Sequence, residues 1–203
     1  DYGTNISAHI FGEDISFKLT SLSKHNIILF ALSLGVIKKL GLNIVKAAQN
    51  TQDFQTPKGR GSIIELNIED KNCILIDDAY NANPTSMIAG IKNLKYFGEH
   101  YKIAVLGDML ELGEKSDDYH ICLKPFILEN NINFLICVGK KMAILADNLS
   151  NSNIHIKKFN QTEEALKYLL EHIKNKSLIF IKGSKGSKVH QISESLQKGI
   201  YKI

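Results

Sequence analysis

A chain of 203 residues, 44% hydrophobic and 23% charged, is long enough to bury one large core, or one core and part of a second. Its net charge of +4 is spread over scattered lysines, and aromatic residues make up only 8%. That balance argues against a nucleic-acid partner, which needs a basic stripe with interleaved aromatics, and is at most a hint of small anionic ligands.

No apolar run approaches the roughly 20 residues needed to span a bilayer, and no charged-then-apolar secretory signal opens the chain. Cys73, Cys122 and Cys137 are odd in number, match no zinc or redox spacing and lie among apolar neighbours. They read as reduced core thiols of a cytoplasmic protein. The first residue is Asp1 rather than Met, as expected of a processed protein or a piece of a longer one.

Residues 5–20 alternate as two strands do. Ile6, Ala8 and Ile10 lie on the first, Ile15, Phe17 and Leu19 on the second, with the turn Phe11-Gly12-Glu13-Asp14 between them. From His25 to Leu40, apolar residues recur at helical intervals, and Gly41 is a stop signal. Ile28, Leu29, Leu32 and Val36 widen the apolar arc, which predicts a well-buried helix. A short helix around 44–50 completes a first unit, residues 1–53. Pro57, Gly59 and Gly61 then interrupt both periodicities, and residues 54–61 read as a linker.

Residues 62–203 change character. Segments 62–68 and 72–77 read as a hairpin turning at Glu69-Asp70-Lys71, with further strands at 102–106, 133–138 and 177–181 and a weaker one at 154–157. Helical patterns separate them. Met87, Ile91 and Leu94 share one face, and Tyr119, Cys122, Leu123, Phe126 and Ile127 another. Leu166, Leu169, Leu170 and Ile173 form a third, and Val189, Ile192 and Leu196 a last. Pro125 requires the second helix to kink or begin late. The alternation predicts an α/β fold, a Rossmann-like and mostly parallel sheet flanked by helices, preceded by a small α+β unit.

Three strand ends carry unusual loops, and in a parallel sheet they share one edge and can converge on one crevice. The first, Asp77 to Pro84, crowds carboxylates and amides before a helix with Asn83 as N-cap and Pro84 at its first position. It offers oxygens for ribose or metal and backbone N–H groups for phosphate, yet an ordinary βα unit is built the same way, and both readings stand. In the second, Leu106 to Gly113, Asp108 and Glu111 either coordinate a metal or cap the following helix; no His, Cys and carboxylate cluster has the spacing of an autonomous metal site. The third, Ile181 to Lys188, suits a phosphate or carboxylate, or is a solvated lysine-rich turn. The pattern G-x-x-x-x-G-K-[ST] is absent throughout, so no P-loop is present. Taken singly, His25 and His120 read as structural histidines.

Taken in order, three strings carry a resemblance. They are Asp77-Asp78-Ala79-Tyr80-Asn81-Ala82-Asn83-Pro84 with Ser86-Met87 behind it, Gly107-Asp108-Met109-Leu110-Glu111-Leu112-Gly113 with His120 downstream, and Lys182-Gly183-Ser184-Lys185-Gly186. Together they resemble the Mur ligase family, most of all its members that add D-alanyl-D-alanine to UDP-N-acetylmuramoyl-tripeptide in peptidoglycan biosynthesis. Upstream, His25-Asn26 opening an apolar helix, followed by Gly59-Arg60, is similar to the end of the family's central ATPase domain and its exit to the C-terminal domain.

The resemblance implies a three-domain, ATP-dependent ligase of which this chain holds the last third to half. The P-loop, the Mg²⁺ ligands and a modified lysine would lie in the missing part, and this portion alone would be inactive. The family's tripeptide carboxylate attacks the γ-phosphate of ATP to give an acyl phosphate, and the amine of D-alanyl-D-alanine then displaces phosphate. By similarity His25 and Asn26 lie beside adenine, Arg60 near the phosphates, and Asp78 and Asn81 at the ribose and phosphates. Lys182, Gly183 and Ser184, with Lys140, line the dipeptide pocket. The sequence departs from the family at Ser23, usually Gly, and at Leu29, usually an Asn facing adenine. On this reading residues 1–53 are the remnant of the ATPase domain, with an apolar face left open. Without the resemblance, the same residues also suit a stand-alone Rossmann-like module that binds a nucleotide or dipeptide without catalysis, or a purely structural domain.

Overall fold

The computed structural model describes residues 3–19, 24–54 and 56–200, with the backbone alone for Lys24, His25, Gln52 and Asp53. Ser23 lies outside the described residues. In the first unit, β1 (Thr4–Ile10) and β2 (Glu13–Leu19) form an antiparallel hairpin. Its two-residue turn places Phe11 and Gly12 at φ 45° and 84°, the left-handed conformation that a tight hairpin requires at both positions. Helix α1 (Lys24–Lys39) and helix α2 (Ile44–Gln49) pack on the hairpin, and the Asn43 side chain caps α2 by accepting from the Lys46 N–H at 2.9 Å.

Ile15, Phe17, Leu19, Leu34, Ile44 and Ala48 form the buried core of this unit. The expectation of a well-buried α1 fails. Ile28, Leu29, Leu32 and Val36 are between 47% and 63% exposed, because the hairpin covers only the face that carries Leu34. The open apolar face expected of this unit is therefore present.

The second unit runs β3 (Ser62–Ile68), β4 (Lys71–Asp78), α3 (Pro84–Asn93), β5 (Tyr101–Gly107), α4 (Ser116–Ile121), α5 (Lys124–Glu129), β6 (Phe134–Val138), α6 (Lys140–Asn148), β7 (His155–Phe159), α7 (Thr162–His172), β8 (Ser177–Lys182) and α8 (His190–Lys198). The six strands lie in the order β3-β4-β8-β5-β6-β7. Strand β3 pairs antiparallel with β4, and every other pairing is parallel. The predicted Rossmann-like sheet is thus observed.

Alternation along each strand divides the core into two layers. Ile74, Ile76, Leu106, Leu135 and Phe180 face α3, α5 and α6, while Leu75, Val105, Ile136, Ile179 and Ile181 face α7 and α8. Strands covered on both faces read as continuous apolar runs, as in β8, where Leu178, Ile179, Phe180 and Ile181 are each at most 1% exposed. Pro125 stands in the first turn of α5, where its missing N–H is harmless, so the single helix expected there is two. Helix α6 was not anticipated from the sequence.

Gly90 of α3 sits against the sheet, and a Cβ built there would meet Phe180 Cζ at 2.6 Å. Elsewhere in a helix, Gly to Ala gains about 1 kcal/mol. Here the added Cβ overlaps the buried Phe180 ring, which must shift from its packed position, so Gly90→Ala is expected to destabilise the chain by about 1–3 kcal/mol in urea unfolding. A stabilising substitution would show that α3 packs less closely than described.

Candidate functional site

The chain climbs from β4 through α3 to β5 on one face of the sheet, and returns through α7 so that β8 enters between β4 and β5. The connections leaving β4 and β8 therefore depart to opposite faces. Such a switch point opens a crevice at the carboxyl ends of the strands. Asp78 and Lys182 are register partners at that edge, and Lys182 also faces Leu106 of β5.

Lys182 is 2% exposed. Its ammonium donates to Asp78 Oδ2 at 2.7 Å, to the Asn81 carbonyl at 3.0 Å and to the Asp78 carbonyl at 3.4 Å. Three acceptors satisfy the three donors of the group, which is what a buried cation needs. The Asp78 carboxyl is pushed above its ordinary value, first by burial, against the lowering effect of Lys182; Asp77 adds to the rise and Arg60 opposes it. Asp77 itself is buried on the other face, where its Oδ2 accepts from Gln197 at 3.2 Å.

A cleft of about 910 Å³ opens above this pair, and its walls include Asn26, Phe30, Arg60, Asp78, Asn81 and Lys182. Residues expected to act together, far apart in sequence, therefore meet. Arg60 lies with its guanidinium 4.2 Å over the Tyr80 ring, the distance of a cation–π contact. The end of the linker is pinned beneath it: Tyr80 N–H donates to the Gly59 carbonyl at 3.0 Å, Gly61 N–H to the Asp77 carbonyl at 2.8 Å, and Lys58 pairs with Glu194 at 3.0 Å. The opposite wall is apolar, with Phe30 and Phe54 edge to face at 4.7 Å. Leu29 also lines the cleft and offers it no hydrogen bond. The His25 side chain lies outside the described residues.

The α3 N-terminus is closed by a reciprocal capping box, in which Ser86 N–H donates to Asn83 Oδ1 at 2.8 Å and Asn83 N–H to Ser86 Oγ at 3.1 Å. Asn83 is thereby spent on the helix, as its predicted N-cap position required.

The second expected group does not line one cleft: of its four residues only Lys182 borders the cleft described above. Lys182 belongs to the cleft and its ammonium is already satisfied, because the register of β8 buries it against Asp78. Gly183 and Ser184 are buried beside it and do not line the cleft. Lys140 stands exposed in the first turn of α6. Asp108 neither caps the following helix nor offers a free carboxylate. It caps α6, accepting from Met142 N–H at 2.7 Å and Lys141 N–H at 3.3 Å. Gly139, at φ 111°, makes room for it, since a Cβ there would lie 2.4 Å from the Asp108 carboxyl. His120 is fully buried and structural, as its place in a helical pattern suggested. Among the described residues no group of three or more His, Cys, Asp or Glu could hold a metal. No helix described is long and apolar enough to cross a membrane. Tyr80 and Phe54 were not anticipated as parts of the site.

Comparison with known proteins gives the family. The family model described as Mur ligase, glutamate ligase domain, matches residues 59–185, more than half of the 203 residues. The chain belongs to the Mur ligase family. It is 35% identical over 162 residues to the UDP-N-acetylmuramoyl-tripeptide–D-alanyl-D-alanine ligase of Rickettsia prowazekii (strain Madrid E), covering 80% of this chain and 35% of that protein. To the enzyme of the same name from Buchnera aphidicola subsp. Baizongia pistaciae (strain Bp) it is 33% identical over 204 residues, covering 98% of this chain and 42% of that protein. A crystal structure of MurF from Acinetobacter baumannii superposes with a TM-score of 0.82 at 25% identity, over 97% of this chain and 43% of that one. MurF ligase from Thermotoga maritima, solved in complex with ADP, shares the fold with a TM-score of 0.78 at 23% identity, over 98% of this chain and 44% of that one. The chain thus spans between 35% and 42% of the length of these curated relatives.

The raised Asp78 carboxyl has a consequence for stability. The folded chain holds that proton more firmly than the unfolded chain, whose carboxyl keeps the ordinary value of 3.8. The stabilisation from this group is therefore complete below the unfolded value and is lost as pH rises through the folded one. The stability of the unsubstituted chain minus that of Asp78→Asn, from urea unfolding at a series of pH values, should be largest in acid and should fall as pH rises from about 4. A difference that grows with pH would show that Lys182 outweighs burial.

Proposed function

We propose that this chain is the C-terminal part of an ATP-dependent ligase that adds D-alanyl-D-alanine to UDP-N-acetylmuramoyl-tripeptide in the cytoplasm. On this reading residues 1–53 end the central ATPase domain, residues 54–61 link it to the next, and residues 62–203 form the C-terminal ligase domain. One observation carries the reading above the others: Asn26, Arg60, Asp78 and Asn81, drawn from both units and the linker, line a single cleft at the switch point of the sheet. The curated relatives bearing that ligase name support the choice of substrates.

In this assignment Asp78 accepts from the ribose hydroxyls, and its carboxylate is held for that task by Lys182. Arg60, exposed over Tyr80, faces the phosphates, and Asn81 offers its side chain beside them. The apolar wall of Leu29, Phe30 and Phe54 receives the base, with Asn26 at its edge, and His25 is assigned beside the base by the resemblance alone. The reaction proceeds through an acyl phosphate, formed when the tripeptide carboxylate attacks the γ-phosphate and consumed by the amine of D-alanyl-D-alanine. Mg²⁺ would assist the phosphoryl step, and its ligands, like the P-loop, are assigned to the portion of the enzyme beyond this chain. Lys182 is reassigned from the dipeptide to the support of Asp78. For the dipeptide, the exposed Lys140 remains as a cation suited to its carboxylate.

The test is an assay of phosphate release by a protein of the relatives' full length carrying this chain. Release should require both D-alanyl-D-alanine and the UDP-linked tripeptide. Nucleotide binding without release under any substrate combination would favour the stand-alone binding module instead. In the same protein, Arg60→Ala and Asp78→Ala should each raise the KM for ATP about 10- to 100-fold, the worth of one hydrogen bond to a charged group. Unchanged KM values would remove these residues from the nucleotide site.

A further inference from the structure

The loop between β5 and α4 takes no part in the cleft, yet it is tied down along its first residues. Three consecutive residues are each held by a group from elsewhere. The Asp108 carboxylate caps α6, and the Asp108 carbonyl accepts from Ser184 N–H at 3.1 Å. Met109 N–H donates to His120 Nε2 at 3.0 Å, while His120 Nδ1 lies 2.6 Å from the Ser116 carbonyl. These two contacts define the imidazole as neutral, with its proton on Nδ1. Leu110 N–H donates to Ser184 Oγ at 2.9 Å, and that hydroxyl points its own hydrogen at the Ala82 carbonyl, 3.4 Å away, in the loop that carries Asp78 and Asn81. His120 is 0% and Ser184 5% exposed. Immediately beyond the ties, Glu111 adopts φ 63°. A left-handed residue that is not glycine persists only where its surroundings hold it there.

We infer that Ser184 and His120 are positioning residues: Ser184 joins the three strand-end loops through its single hydroxyl, and His120 holds the middle loop in place to meet it. Ser184 was expected to touch a ligand. Its one proton is committed to the Ala82 carbonyl and one of its two lone pairs to the Leu110 N–H, and the residue is buried, so it acts on the nucleotide loop through Ala82. The consequence for the nucleotide rests on the function proposed above, whereas the joining of the loops does not.

Amide hydrogen exchange in the ligand-free chain tests the joining directly. Ser184→Ala should speed exchange at Leu110 about tenfold, the upper worth of one neutral hydrogen bond, and leave Met109 protected. His120→Ala should do the reverse. Ser184→Thr, which keeps the hydroxyl, should restore protection at Leu110. Core amides such as Ile103 should keep their rates in every variant. Unchanged exchange at Leu110 in Ser184→Ala would overturn the inference. So would equal acceleration at Leu110 and Ile103, which would make Ser184 a support of the fold as a whole. Titrating D-alanyl-D-alanine into the unsubstituted chain supplies a second measurement: a dipeptide that releases the Leu110 amide would make Ser184 a ligand contact and overturn it, and an undisturbed Leu110 amide is expected. If nucleotide binding were absent but these exchange results held, the proposed function would fail and the joining of the loops would stand.

Discussion

The site depends on one buried ammonium. Strand β8 is apolar from Leu178 to Ile181 and ends in Lys182, whose position between β4 and β5 leaves it almost no water. An unpaired charge there would be costly, and the penalty falls on any movement that separates it from Asp78 and the carbonyls of Asp78 and Asn81. The loop between β4 and α3 is thereby held down at its start, and the capping box of Asn83 and Ser86 holds it at its end. Asp78 stays close to the cleft at the expense of a carboxyl that resists ionisation. Perturbation of that kind, at a strand end inside a cleft, makes Asp78 a functional-site candidate.

The cleft is shared between two units of different construction. The larger is packed on both faces of its sheet, and the smaller has a core on one side of α1 only. What joins them at the cleft is a short stretch of linker laid against the C-terminal end of β4, with Arg60 over Tyr80 and Lys58 on Glu194. The ion pair is exposed and contributes little, so the backbone bonds at Gly59 and Gly61 and the ring contact carry the alignment. In the proposed enzyme this junction sets how the base wall of the smaller unit meets the ribose and phosphate side of the larger.

Local patterns were legible in the sequence, and long-range pairings were not. The strands of the second unit and the helices α3, α7 and α8 follow from apolar period alone, and the loops flanking β4, β5 and β8 stood out by composition. Helix α6 was missed although Met142, Leu145, Ala146 and Leu149 have helical spacing, because Gly139-Lys140 reads as a turn and Lys, Asp and Asn surround the stripe. The burial of α1 was overestimated because an apolar arc reports a tendency to be covered, not whether a partner covers it. Asp108 as the cap of α6, and Lys182 as the partner of Asp78, depend on residues 34 and 104 apart that meet only through the strand order. Ser184 looked like a ligand group for the same reason. A serine in a glycine-rich turn shows its hydroxyl to the reader, but not the Leu110 amide that occupies it.

In the proposed enzyme Asn26, Arg60, Asp78 and Asn81 form one nucleotide site. Titrating ADP to millimolar concentration into the isotopically labelled chain, and following backbone amide shifts, tests it most directly. A nucleotide site there requires the largest changes at those four residues and at Tyr80, with little change in the groove formed by Glu65, Asn72 and His100 at the opposite end of the sheet. Shifts confined to that groove, or scattered over exposed lysines with no focus at Asp78, would contradict it.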